Sequence, residues 1–215
     1  MRLCKNIGWS TLVAAAAAVV MLFAAQGAMA VITGSAHDFK AKTWNPSGEI
    51  CNVCHVPHKT ASTALLWNHV TTTAPAYTLY SSPSLNAVPG QPAAGSVSKL
   101  CLSCHDGTVA VDNFGGTTTG TTFVLPASNL LNGTTSLTDD HPISFTYDAA
   151  LATADGGLVS PPVDGKSVVA GIPLYAAKLE CGSCHDVHNN GVGTPAKLLR
   201  VSNAASALCL KCHIK

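Results

Sequence analysis

The chain has 215 residues, among them 9 Cys and 9 His, with 12 basic and 11 acidic side chains. A formal charge of +1 leaves no electrostatic footprint for nucleic acid, and 11% charged residues is too few for a solvated disordered tail. The length allows one or two domains, and the cysteine count directs attention to sulfur chemistry.

Residues 1–30 read as a secretory signal peptide. Arg2 and Lys5 precede an apolar run from Leu12 to Ala25, and Ala28-Met29-Ala30 offers small residues for cleavage. The run is short for a membrane span, and Gln26-Gly27 follows it. Cleavage after Ala30 leaves 185 residues with ten basic and eleven acidic side chains and eight cysteines. The mature chain is expected to be exported and to lack a membrane span. The protein's three methionines, Met1, Met21 and Met29, all lie in the removed segment.

Every cysteine of the mature chain belongs to a C-x-x-C-H string. The four motifs are Cys51-Asn-Val-Cys54-His55, Cys101-Leu-Ser-Cys104-His105, Cys181-Gly-Ser-Cys184-His185 and Cys209-Leu-Lys-Cys212-His213, designated I to IV. This string is the attachment signature of c-type haem. Two thiols three positions apart lie on one side of a helical turn, where both can form thioethers with the vinyl groups of one haem. The His that follows supplies the proximal ligand of the iron. Disulfides or zinc would account for paired cysteines. Neither accounts for a His directly after all four pairs. Four covalently attached haems are therefore expected, on Cys51, Cys54, Cys101, Cys104, Cys181, Cys184, Cys209 and Cys212.

Proximal His55, His105, His185 and His213 leave five further histidines: His37, His58, His69, His141 and His188. Without methionine in the mature chain, a sixth ligand must come from four of these five, or an iron face stays open. His58 and His188 each follow a proximal His by three residues, too close to wrap around their own haem, so they are expected to point at a second one. Pro142 favours extended backbone at His141, where a nearby Asp can orient the ring. His69, in Leu66-Trp67-Asn68-His69, is a distal candidate, with a packed ring beside a porphyrin edge as the alternative. His37 lies on an N-terminal arm expected to be flexible, able to serve its own chain or a neighbour.

The order of elements repeats. Cys51 to His105 reads C-x-x-C-H-x-P-H, then Leu65-Leu66, then Leu-Cys-Leu-Ser-Cys-His; Cys181 to His213 reads C-x-x-C-H-x-x-H, then Leu198-Leu199, then Leu-Cys-Leu-Lys-Cys-His. The resulting divisions are the signal peptide, an arm over 31–50, a first paired unit over 51–110, a Gly/Thr/Pro-rich connecting region over 111–180 and a second paired unit over 181–215. Helical periodicity is absent from the connecting region, and Gly or Pro interrupts most apolar runs. The expected fold is mostly coil, with short helices at the haem-binding motifs and little β structure. Small hairpins are expected around Phe123-Val124-Leu125 and Ile143-Ser144-Phe145. Haems are expected to form the core, with Trp44, Trp67, Tyr77, Tyr80, Phe145 and Tyr147 packed on porphyrin.

On these motifs the chain resembles the doubled C-x-x-C-H family of multihaem c-type cytochromes. Ser35-Ala36-His37-Asp38, Leu66-Trp67-Asn68-His69, Cys104-His105-Asp106-Gly107-Thr108 and Asp140-His141-Pro142-Ile143-Ser144 are similar to stretches of the OmcE-type tetrahaem nanowire cytochromes. That resemblance implies an extracellular filament with a continuous haem chain, in which a distal His of one subunit serves the next.

The expected function is long-range extracellular electron transfer by a homopolymeric filament, with redox proteins and extracellular acceptors as partners. About 46 residues per haem cannot insulate four porphyrins from one another. Motif IV, two residues from the last residue of the sequence, is expected to leave an open haem edge, and His37 is a candidate to reach across to a neighbour. A soluble periplasmic tetrahaem shuttle is the alternative. A multihaem reductase with an open iron is less favoured, because ligand supply exceeds demand by one; the protein is not expected to be an enzyme.

Overall fold

The structure, a computed structural model, describes residues 32–58, 66–123, 130–131, 135–168, 172–188 and 198–214. The signal-peptide reading of 1–30 lies outside the described residues, as do Val124 and Leu125 of the first expected hairpin. Among the described residues, no helix is long and apolar enough to cross a membrane.

Turns and irregular segments dominate, as the composition predicts. In chain order the elements are β1 (Thr78–Leu79), α1 (Val97–His105), β2 (Ser136–Leu137), β3 (Phe145–Thr146), α2 (Ala149–Asp155), β4 (Lys178–Leu179) and α3 (Cys181–Cys184), followed by 3-10 turns at Ala204–Ser206 and Cys209–Lys211. Helix α1 carries motif II and starts where the Ser96 hydroxyl accepts the Lys99 N–H at 3.3 Å.

Helix α2 was not anticipated. Its signals are in the caps rather than in a periodic pattern. Asp148 Oδ1 accepts the Leu151 N–H at 2.8 Å, and Gly156 ends the helix in the left-handed region at φ +71°.

The strands pair across long stretches of sequence. β1 and β2 are parallel, with Thr78 opposite Ser136 and Leu79 opposite Leu137. β3 and β4 are antiparallel, with Phe145 opposite Leu179 and Thr146 opposite Lys178. The hairpin expected around Ile143-Ser144-Phe145 is therefore corrected: Phe145 finds its partner in a distant segment, and Ser144 at φ +59° turns the chain into the strand. A two-residue hairpin does form nearby. Tyr175 and Lys178 exchange backbone hydrogen bonds of 2.9 and 3.0 Å around Ala176 and Ala177.

Two small apolar clusters form a core of the polypeptide's own. Phe145, Tyr147, Val168, Ile172, Leu174 and Leu179 make one; Ala74, Tyr77, Leu102 and Leu137 make the other. The first draws mainly on the region whose composition reads as a linker. Phe145, Tyr147 and Tyr77 are thus buried among side chains, which qualifies the expectation that haem alone supplies the interior.

Motif II in α1 packs against motif III in α3. Cys181 N–H donates to Ser98 Oγ at 2.9 Å. A Cβ on Gly182 would lie 2.7 Å from Val97 Cγ1 and 2.9 Å from Tyr175 Oη, so only glycine admits this contact.

Ala176 and Ala177 hold φ of +51° and +60°, where a Cβ costs about 1–2 kcal/mol per residue and where Asn-Gly is favoured. Replacing the pair with Asn-Gly is expected to raise the thermal midpoint of unfolding; an unchanged or lower midpoint would contradict this account of the turn.

Candidate haem-binding sites

Each motif folds as one helical turn. The proximal His N–H donates to the carbonyl of the first Cys four residues back at 2.9 Å in motif I, 3.0 Å in motif III and 2.9 Å in motif IV. Motif II forms the second half of α1. Among the described residues the eight motif cysteines form no disulfide.

Burial controls their chemistry. It pushes the Cys104 thiol up to about 12 and Cys54 and Cys212 up to about 11, and it raises Cys184 as well. Cys101 donates to Cys181, which raises the donor and lowers the acceptor. Such surroundings suit the uncharged sulfur of a thioether. Among the described residues no group of three or more His, Cys, Asp or Glu is arranged to hold a metal ion directly.

The internal repeat is visible in the backbone. Behind motif I, Val56 N–H donates to Leu66 O and Asn68 N–H to Cys54 O; behind motif III, Asp186 N–H donates to Leu198 O and Arg200 N–H to Cys184 O. Leu66 and Leu198 share a left-handed conformation, φ +53° and +51°. Even the side-chain bond is kept: Asn68 Nδ2 donates to Asn52 O, and Arg200 Nε to Gly182 O. The structural alignment pairs Leu66 with Leu198, one residue off the pairing that matches Leu65-Leu66 with Leu198-Leu199. His69 then corresponds to Val201.

Three proximal histidines face a spare one. His37 and His105 have ring centroids 6.0 Å apart, His55 and His188 6.1 Å, and His141 and His213 6.4 Å. His37 belongs to no flexible arm. Its ring packs on Phe39, which packs on Trp44, which meets Phe114, and buried Asn45 ties the loop with bonds to Phe39 O and Glu49 O. Its Nδ1 is buried without a hydrogen-bond partner. Burial, helped by His105 and His185, pushes it down to about 4, so the ring is neutral at pH 7.

His141 Nδ1 lies 2.8 Å from Pro142 O, so the carbonyl, rather than the expected Asp, orients this imidazole. Asp186 takes that part for His188: its carboxylate accepts the His188 backbone N–H at 3.1 Å and lies 3.9 Å from Nδ1. His58 is exposed. His69 is buried, with Nδ1 2.7 Å from Val70 O and Nε2 3.0 Å from Ala110 O. Trp67 stands edge-on between His55 and His69.

Several supporting residues escaped the sequence reading. Ser103 and Ser183, the third residue of motifs II and III, are fully buried pins that accept the N–H of Thr72 and of Glu180, each at 3.0 Å. Asp106 and Asp186, directly after the proximal His in the same two motifs, are buried too. Asp106 accepts from Tyr77 Oη at 2.7 Å, from Thr108 N–H and Oγ1 at 2.8 Å each, and from Thr72 Oγ1. The shared Ser and the repeated His-Asp dipeptide were the available signals.

The donor set fits haem. Imidazoles bonded to opposite faces of one iron have centroids about 6 Å apart, since each Fe–N bond is about 2 Å and the centroid lies about 1 Å beyond. Three pairs meet that separation, and the orphaned Nδ1 of buried His37 is a nitrogen in want of a partner. In comparisons with known proteins, residues 174–215 match a family model described as a doubled CXXCH motif. No curated protein matches the chain. The match covers motifs III and IV, and its motifs indicate covalently bound c-type haem and the electron transfer of a multihaem cytochrome.

Truncating Asp106 would strand the donors of Tyr77, Thr72 and Thr108 beside motif II. With each stranded donor costing about 1–3 kcal/mol, Asp106→Ala is expected to lose about 3 kcal/mol in denaturant unfolding; a loss under about 1 kcal/mol would show that the network does not hold this segment.

Proposed function

We propose that the protein is a tetrahaem c-type cytochrome of the OmcE type, exported to the cell surface or beyond, which carries electrons over long distances as a filament of identical chains. The observation that carries this reading is the set of four equivalent motifs, three of them with a second imidazole in ligand position. A haem held at each motif would supply one-electron chemistry between ferric and ferrous iron. The polypeptide's part is to anchor, orient and space.

The spacing follows from contacts between motifs. Cys101 and Cys181 hydrogen-bond, joining motif II to motif III. Cys54 lies close enough to raise Cys104, and Cys209 close enough to raise Cys184. Each motif thus has a neighbour, as a multistep electron path requires. The two exposed cysteines are Cys51 and Cys209, in motifs I and IV, while the thiols of motifs II and III are half-buried. Motifs I and IV are accordingly the ports, and II and III the interior of the path. The open cleft of about 250 Å³ lined by Ser206, Cys209, Leu210 and His213 is where a haem on motif IV would lie.

No catalytic role is proposed, because at three of the four motifs a second imidazole stands where a substrate would need an open iron face. One observation favours the periplasmic shuttle instead: His37 is clamped against His105 of its own chain, so that pair is complete in a monomer.

Cryo-microscopy of the secreted protein is expected to show filaments, and monodisperse monomers alone would overturn the polymer and leave the shuttle. In a redox titration, paired imidazoles without a methionine ligand are expected to give couples below those of His/Met cytochromes c. Four couples all well above zero would contradict the ligand set.

A further inference from the structure

Three carboxylates are buried among the described residues: Asp106, Glu180 and Asp186. All three flank motif II or motif III. Asp106 and Asp186 directly follow the proximal His of those motifs, and Glu180 directly precedes the first Cys of motif III. The outer motifs carry aliphatic residues at the same places. Val56 and Ile214 follow the proximal His, and Ile50 and Leu208 precede the first Cys. The acidic residues near the outer motifs, Glu49 before motif I and Asp139-Asp140 before His141, are exposed. Lys211, inside motif IV, adds a positive charge there.

Pairing decides which buried carboxylate acts as a net charge. Asp186 is answered by the Arg200 guanidinium at 3.5 Å. Among the described residues, Asp106 and Glu180 enter no ion pair. Neutral donors hold both. Asp106 accepts from Tyr77, Thr72 and Thr108. Glu180 accepts from Ser144 Oγ at 3.1 Å and from the Ser183 N–H of its capping box. Such bonds fix a carboxylate in place without cancelling its charge. The field of each reaches an anchoring sulfur. Burial first, then Cys54 and Asp106, push the Cys104 thiol up; the bond from Cys101 lowers Cys181, and Glu180 works against that shift.

A ferric haem carries one more positive charge than a ferrous one, so a nearby anion favours the ferric form and lowers the couple. Exposed charges are screened by solvent and salt; buried ones are screened far less. At an effective dielectric of about 20, a unit charge about 10 Å from another biases an equilibrium roughly tenfold. Burial of a haem acts in the opposite sense, because it disfavours the more charged form. That difference between the motifs is the smaller one. The second Cys is half-buried in all four, and only the first differs, exposed in motifs I and IV and half-buried in II and III. A whole buried charge, present at the inner motifs and absent at the outer, decides the order.

We propose that Asp106 and Glu180 set the redox profile of the chain: as buried, unpaired negative charges they hold the couples at motifs II and III below those at motifs I and IV. The inference rests on the tetrahaem reading. Its consequence is a place for the electrons to wait. In a half-reduced chain they reside at the two ports, where a partner or a second copy takes them, and the inner pair is crossed uphill.

The test is an optical redox titration of the exported holoprotein, comparing wild type with Glu180→Gln and Asp106→Asn, which keep the side-chain shape and remove the charge. Wild type is expected to show two lower and two higher couples. Glu180→Gln is expected to raise one of the lower couples about tenfold in its ferrous-to-ferric ratio, or about 59 mV for one electron. Asp106→Asn is expected to raise the other. The upper pair is expected to move less, with the haem content and the low-spin spectrum unchanged. A Glu180→Gln curve superimposable on wild type would overturn the proposal, even with a lowered thermal midpoint, since that is the mark of a purely structural role. A shift confined to the upper pair would overturn it as well. If Asp106→Asn does not accumulate, Glu180→Gln decides alone, because its amide oxygen keeps an acceptor for Ser144 and Ser183. Fewer than four haems in wild type by the pyridine haemochrome spectrum would overturn the tetrahaem reading itself, which the haem count registers separately from the couples.

Discussion

Two imidazoles that share an iron stand about 6 Å apart, and this separation constrains most of the fold around the motifs. The chain reaches it three times, through three different constructions. His37 is held by a ladder of aromatic rings, His188 by the carboxylate of Asp186, and His141 by a proline carbonyl and an extended backbone. Each spare ring comes from a segment remote in sequence from its proximal partner. The pairs therefore fix long-range geometry in a chain with very little regular secondary structure.

The contact between motifs II and III is the other fixed point. Gly182 lets α3 approach Val97 of α1, Ser98 accepts the N–H of Cys181, and the sulfurs of Cys101 and Cys181 meet. Around the same glycine, Arg200 binds its carbonyl, the Asp186 carboxylate at 3.5 Å and Tyr175 Oη at 3.2 Å. Burial of the two inner motifs and exposure of the outer two follow from this arrangement. Under the proposed function, this arrangement would give a conduction path whose interior steps are less exposed than its ends.

The chemistry was legible because it is written in short, rigid spacings. Four C-x-x-C-H strings dictate four helical turns, and the matching order of elements announces a duplication that the matching backbone hydrogen bonds behind motifs I and III make concrete. What the sequence concealed is longer in range. Phe145 pairs with Leu179, a partner that no local pattern reveals. Residues Ala149–Asp155 form a helix on the strength of Asp148 and Gly156 alone, without an amphipathic stripe. The one-residue shift in the repeat arises because Leu66 and Leu198 are equivalent by their left-handed backbone, which leucine does not advertise. His37 looked like part of a loose arm because Phe39, Trp44 and Phe114 come together only in the folded chain. Asp106 and Asp186 went unnoticed for a different reason: an acidic residue after a ligand His has meaning only once its buried donors are seen.

The proposed function presupposes covalent porphyrin at each motif. The intact mass of the exported protein, read together with its visible spectrum, tests that most directly. The account predicts a polypeptide cleaved after Ala30 and carrying four haems, with the split low-spin bands of a reduced c-type cytochrome. A colourless protein at the mass of the bare chain would contradict it.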